Sequence, residues 1–168
     1  MEGTQLVEQS LGRIQAGFTR ILNGLTEEQL RYRPKESANS IAWLLWHLTR
    51  VQDSHISDLL GEEQVWMSQN WHEKFNLSPD KNNTGYGHGP NDVAGIQADG
   101  KILQGYYDAV FASTQKLLRQ LSPEDLDIEL DEPQYNPLPT IGVRLASIIS
   151  DNTQHVGQAA YLKGLILV

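Results

Sequence analysis

The sequence contains no cysteine. Disulfides, thiolate metal sites and a protein thiol nucleophile are therefore excluded, and a reducing, cytoplasmic setting is the default expectation. Long hydrophobic runs are also missing: no stretch approaches the roughly 20 apolar residues that span a bilayer, so no membrane partner is expected. The N-terminal Met-Glu-Gly-Thr-Gln has neither a basic region nor an apolar core, and export is not expected. Basic charge is scarce. Thirteen Lys and Arg stand against 21 Asp and Glu, a formal net charge of −8. Phosphate binding draws on clustered Lys and Arg, and neither a basic stripe nor a Gly-rich phosphate loop is present, so a nucleic-acid partner is not expected. Sustained period-two alternation is lacking as well, which makes a sheet improbable.

What remains is a chain of 168 residues with 39% hydrophobic and 20% charged content, the size and balance of one globular domain spanning 1–168. Four segments carry helical periodicity. The first runs from about Thr4 to Leu22, with a stripe of Leu6, Ile14, Phe18, Ile21 and Leu22 and an end signal at Asn23-Gly24. The second covers about Ser40 to Leu60, capped by Asn39 or Ser40 and closed by Gly61; its stripe is Ile41, Leu44, Leu45, Leu48, Val51 and Leu59. The third spans about Asp99 to Leu121, although Gly100 and Gly105 weaken its start. The fourth runs from about Thr140 to Leu165, after the breaker-rich Pro133 to Pro139.

A short repeat follows the first and third helices: Leu25-Thr26-Glu-Glu-Gln-Leu30 and Leu121-Ser122-Pro-Glu-Asp-Leu126. Each has a hydroxyl residue, Thr26 or Ser122, with an amide or acid three positions later, the pattern of a capped short helix. Two similar helix pairs are thus expected. Between the second and third helices lies a long segment, residues 61–98, rich in Asn and Gly but holding Trp66, Trp71 and Phe75. Loops of that length in compact domains are functional or disordered, and the two Trp favour packing. The predicted fold is all-α: an up-and-down four-helix bundle with a long, partly helical crossover between helices 2 and 3.

The chemistry-bearing residues sit on the second and fourth helices. Asp151 and His155 are four apart and project within about 40° of each other on a helix. Both lie beside the apolar stripe of the fourth helix. A carboxylate there needs a partner, because burying a lone charge is expensive. His47 follows Trp43 and Trp46 in the most apolar stretch of the second helix. One carboxylate and two imidazoles make a three-donor site for a divalent metal with an open fourth position. Taken singly, each has a plainer reading: His47 or His155 as a hydrogen-bonded core histidine, Asp151 as a solvated acid. Gly157 reads as a close-approach glycine within a helix, and Gln158 as a residue able to orient a ligand or metal-bound water, or simply as a surface amide. His55 is placed near an exposed helix end. His72 and His88 in the crossover read as surface residues or as an acid or base over a pocket. Arg144, two turns before Asp151, would anchor an anionic substrate or pair with a neighbouring acid.

Three stretches together resemble the DinB-like superfamily of metal-binding four-helix bundles, which includes mycothiol-dependent maleylpyruvate isomerase and related thiol transferases. They are Ser40-Ile-Ala-Trp-Leu-Leu-Trp-His47-Leu, Thr84-Gly-Tyr-Gly-His88 and Gln154-His155-Val-Gly-Gln158-Ala-Ala-Tyr-Leu. The resemblance implies His47, Asp151 and His155 as ligands of a divalent metal, zinc or nickel, with water or substrate in the open position. Many members have histidine where Asp151 stands; the mycothiol isomerase branch carries a carboxylate there. A low-molecular-weight thiol cosubstrate and a small electrophilic substrate are implied too, and a chain without cysteine would have to borrow its thiol. Two alternatives stay open. The same donors suit a non-haem iron enzyme, and the bundle can equally be a non-catalytic or stress-related metal-binding protein. The apolar helix faces are compatible with a homodimer.

Overall fold

The computed structural model describes residues 1–166. Among these residues the four expected long helices are α1 (Gly3–Leu22), α3 (Ile41–Leu60), α7 (Gly100–Gln120) and α8 (Ile141–Ile166). Shorter helices punctuate the links: α2 (Glu27–Arg31), α4 (Val65–Ser68), α5 (Trp71–Lys74), α6 (Pro90–Gly95) and a 3-10 turn (Pro123–Asp127). No strand forms among the described residues; a lone bridge joins Glu129 to Thr140 just before α8.

Local chemistry explains the helix starts. Ser40 caps α3 by accepting from the Trp43 N–H at 3.1 Å, and Asp99 caps α7 by accepting from the Ile102 N–H at 2.8 Å. The two repeats behave alike. Thr26 and Gln29 close a reciprocal capping box at 3.3 and 2.9 Å, and the Asp125 carboxylate accepts from the Ser122 N–H at 2.7 Å. The first turn packs on α3 and the second on α8, so each steers the chain into a helix that bears site residues.

In cross-section α1 and α3 each lie against both α7 and α8. Phe18 stacks on Tyr107 and Gln15 bonds Asp108, so α1 and α7 are antiparallel. Lys163 donates to the carbonyls of Arg20, Ile21 and Asn23 while Gly17 faces Val156, so α1 and α8 are parallel. His55 meets Arg144 and Trp43 meets His155, which sets α3 against α8. The order along the chain is therefore up, down, down, up, and the long crossover carries the chain back so that α3 and α7 run the same way.

The apolar stripes supply the core: Leu11, Ile14, Phe18 and Ile21 of α1, Leu103, Tyr106 and Val110 of α7, and Leu145, Ile148 and Leu162 of α8 are buried. Leu6, expected in the stripe of α1, is instead 58% exposed; the stripe runs through its neighbour Val7, packed against the core, to Leu11, Ile14 and Phe18. The crossover is packed as its tryptophans suggested. Trp66, Trp71 and Phe75 are buried around Tyr106, with ring centroids 5.3, 5.5 and 5.8 Å from it. Gly105 does not delay α7; a Cβ there would lie 2.9 Å from the Trp71 ring, so only glycine admits the indole.

Candidate metal centre

His47 lies in the second turn of α3 and is 8% exposed. Its imidazole stacks on Trp43, with centroids 4.7 Å apart and planes 10° off parallel. The Nδ1 edge faces the backbone carbonyl of Thr84. A carbonyl only accepts, so Nδ1 carries the proton and Nε2 presents a bare lone pair. His155 is arranged the same way from α8. Its Nδ1 faces the side-chain oxygen of Gln158 at 3.0 Å, which turns Nε2 towards the carboxylate. Both Nε2 atoms point at Asp151, whose Oδ1 is 3.4 Å from His155 Nε2 and 4.0 Å from His47 Nε2. The other carboxylate oxygen, Oδ2, is buried without a hydrogen-bond partner.

The three donor atoms lie within 4.8 Å of one another. Ligand atoms around a tetrahedral zinc, at about 2.0–2.1 Å from the metal, are about 3.3 Å apart. The group therefore needs only small adjustments to close on an ion. Electrostatics points the same way: two imidazole nitrogens face one carboxylate whose Oδ2 is buried without a partner, a set that a cation would satisfy. Burial lowers the His47 pKa, outweighing its Thr84 bond and the nearby Asp151 charge. For His155 burial pulls downward too, but bonds to Asp151 and Gln158 and the Asp151 charge outweigh it and raise the pKa.

A family model described as the DinB superfamily matches residues 10–159. The chain belongs to the DinB superfamily. No curated protein matches it. It is similar to a crystal structure of a conserved protein of a locus from Enterococcus faecalis, at 32% identity and a TM-score of 0.90, covering 99% of this chain and 98% of that one.

Within this DinB bundle the other histidines separate clearly from the donor group. His88 is held by its neighbours: Trp43 Nε1–H donates to its Nδ1 at 3.1 Å, its Nε2 faces Asn83 Oδ1 at 2.9 Å, and its ring stacks on Trp46. His72 lies edge-on to Trp66. His55 is partly covered by Arg144, 3.3 Å from its Nδ1, and its pKa is lowered first by burial and then by that charge. Of the two readings of Arg144, pairing with an acid is the one realised, since both oxygens of Glu132 accept from it. Gln158 bonds a site histidine as the sequence suggested. Gly157 is a correction: nothing lies within 4 Å of where its Cβ would be, so no neighbour requires glycine there.

A groove between α1 and α7 is lined by residues such as Gln15, Arg20, Lys101 and Asp108, and none of the three donors borders it. A smaller cleft of about 300 Å³ is lined by Tyr135, Pro137, Leu138, Val143, Arg144 and Ser147, the last one helical turn from Asp151. Two contributors to the site had no role assigned from the sequence, although the Thr84-Gly-Tyr-Gly-His88 stretch was part of the resemblance: the Thr84 carbonyl, a backbone group, and Gly85 beside it. Arg50 did leave one, as a charge set inside the most apolar stretch of α3.

Proposed function

We propose that this DinB protein binds a divalent metal, zinc or nickel, through His47, Asp151 and His155, and uses it as a thiol-dependent transferase or isomerase on a small electrophile. The observation that carries metal binding is the convergence of His47, Asp151 and His155, whose donor atoms lie within 4.8 Å of one another. Each Nδ1 faces an oxygen, so both Nε2 atoms are turned towards the carboxylate, and a divalent cation would satisfy all three. Three protein donors leave a coordination position for a water or an external ligand. A thiol bound there would lose its proton and become the nucleophilic thiolate. The sequence supplies no thiol of its own, so a low-molecular-weight thiol would provide it.

The chain's residues would do the rest. Gln158 and the Thr84 carbonyl keep the imidazoles oriented. The cleft one turn along α8 from Asp151, apolar except for Arg144 and Ser147, would seat the electrophile beside the open position. The test has two stages. Elemental analysis of protein purified without an affinity tag should return one divalent metal per chain, and Asp151→Ala should abolish that stoichiometry. A panel of small thiols with a generic electrophile should then show metal-dependent thioether formation. Full metal content with no thiol turnover would leave a non-catalytic metal-binding bundle.

A further inference from the structure

The crossover does more than cover the bundle: within residues 81–88, Thr84 and Gly85 lie against the Nδ1 edge of His47. We infer that this segment is a clasp that sets the orientation and tautomer of His47, with Asn83 and His88 as positioning residues that hold it closed. The inference rests on His47 being a metal ligand only for its consequence, metal affinity; the clasp itself is a property of the metal-free chain.

The contact surface is backbone. Thr84 presents its carbonyl to His47 Nδ1. Gly85, next in the chain, adopts a φ of +96°, and a Cβ there would sit 2.9 Å from His47 Nδ1, 2.9 Å from the Trp46 ring and 3.0 Å from the Trp43 ring. Only glycine meets both demands, a left-handed backbone and close approach to three rings at once. Any other residue would push the Thr84 carbonyl away from the imidazole.

The segment is held at several points. Arg50 is 0% exposed and donates through Nε to the Asn83 carbonyl at 3.1 Å and through Nη2 to the Lys81 carbonyl at 2.9 Å. Asn83 in turn uses its side-chain oxygen twice, accepting from the Gly85 N–H at 3.2 Å and from His88 Nε2 at 2.9 Å. His88 completes the circuit by accepting from Trp43 Nε1–H at 3.1 Å, and Trp43 is the ring on which His47 stacks. One continuous set of bonds thus ties the carbonyl that fixes His47 to the ring that supports it.

The physical consequence follows from the imidazole itself. Its χ2 torsion is broad and roughly two-fold, so an unrestrained ring can present either nitrogen. A fixed carbonyl on Nδ1 selects the tautomer with Nε2 bare and raises the basicity of that nitrogen; loss of such a partner typically costs about 10–100-fold in metal affinity. Asn83 is the point of attack because its oxygen serves both neighbours while its side chain is only partly buried.

Asn83→Ala removes the shared acceptor, and Asn83→Asp keeps it. In metal-free protein, nitrogen-15 NMR of the histidine rings should show wild-type His47 as the Nδ1–H tautomer, a mixture of tautomers in Asn83→Ala, and the wild-type signature again in Asn83→Asp. Zinc competition against a chromophoric chelator should show a loss of about 10–100-fold in Asn83→Ala and near-complete recovery in Asn83→Asp. His72→Ala, in the same crossover but against Trp66, should change neither readout. A folded Asn83→Ala protein with the wild-type His47 tautomer would overturn the inference, as would equal losses in the alanine and aspartate variants. Absence of zinc binding by the wild type would instead defeat the metal assignment, and the NMR readout would still decide the clasp.

Discussion

The two helices that carry the donor group are opposites. In α3, 14 of 20 residues are buried, including Arg50, Asp53 and Gln52, whereas α8 buries only five of 26. His47 is therefore held by Trp43 on one ring face and by the crossover backbone at its Nδ1 edge. Asp151 and His155 rely on their spacing along one exposed helix and on Gln158. The contrast teaches that one half of the site belongs to the folding core and the other does not. Damage at His47 should cost stability and metal together, while damage at Asp151 or His155 should cost mainly metal.

The largest effect should come from the core side. Asp53 accepts from the Val65 and Trp66 N–H groups at 2.9 and 2.8 Å, from the Tyr106 hydroxyl at 2.7 Å and from Ser57 at 3.2 Å, and it neutralises Arg50 at 3.4 Å. Asp53→Ala strands a fully buried guanidinium and those donors, and should lower unfolding free energy by about 3–5 kcal/mol in a urea titration. A loss below 1 kcal/mol, the level of an exposed pair, would show that the buried network is dispensable and would erase the contrast with α8.

The donors themselves sharpen the comparison. His47→Ala, Asp151→Ala and His155→Ala should each weaken zinc binding more than about 100-fold, beyond the effect of losing an orienting partner. Their effects on the metal-free fold should differ. His47→Ala empties a buried space and strands the Thr84 carbonyl, costing about 2 kcal/mol, while Asp151→Ala relieves the unpartnered Oδ2 and, at a pH where His155 is neutral and its ion pair with Asp151 is absent, should leave the melting temperature unchanged or raised. Gln158→Ala should cost about 10-fold in zinc affinity with no change in stability, since it acts only through His155.

Much of this was legible in the residues. Period, caps and breakers placed all four long helices, because each stripe and each capping side chain acts within a few residues. The convergence of His47 with Asp151 and His155 was also foreseeable, since a carboxylate beside an apolar stripe requires a partner. What could not be read were groups without side-chain identity. The Thr84 carbonyl and the φ of Gly85 depend on how the crossover lands on α3, a long-range outcome. Gly157 misled for a related reason: a glycine in a helix looks the same whether a neighbour approaches it or only solvent does. Leu6 was placed in the core by periodicity, but the stripe of α1 runs through its neighbour Val7, about 100° away around the helix.

Protonation offers a subtler division between the two helices. His47 and His55 on α3 have lowered pKa values, first because of burial, so the unfolded chain gains protons before the native one as pH falls through about 6.5. Their contribution is complete above that value and is lost progressively below it. His155 on α8 is raised, so its contribution is complete below about 6.5 and is lost as pH rises through its folded value. In metal-free protein, His55→Gln should flatten the acid limb of the stability profile and His155→Gln the limb above it. Identical profiles for the two variants would mean that the helices do not divide the titration.

The smallest effect is expected on the outer face of α8. Its exposed residues, Val143, Ala146, Ser147, Ser150, Thr153, Gln154, Gly157, Gln158, Ala160, Tyr161, Gly164 and Leu165, include none that is charged. Tyr161 is the clearest probe, 69% exposed on that face. As a lone surface aromatic it contributes little, and Tyr161→Ser should change unfolding free energy by no more than about 0.5 kcal/mol. The measurement should be repeated across a wide range of protein concentration. Should the variant lose stability only at high concentration, while the wild type gains it there, α8 would be covered by a second copy of the chain, and its exposed half would belong to a core after all.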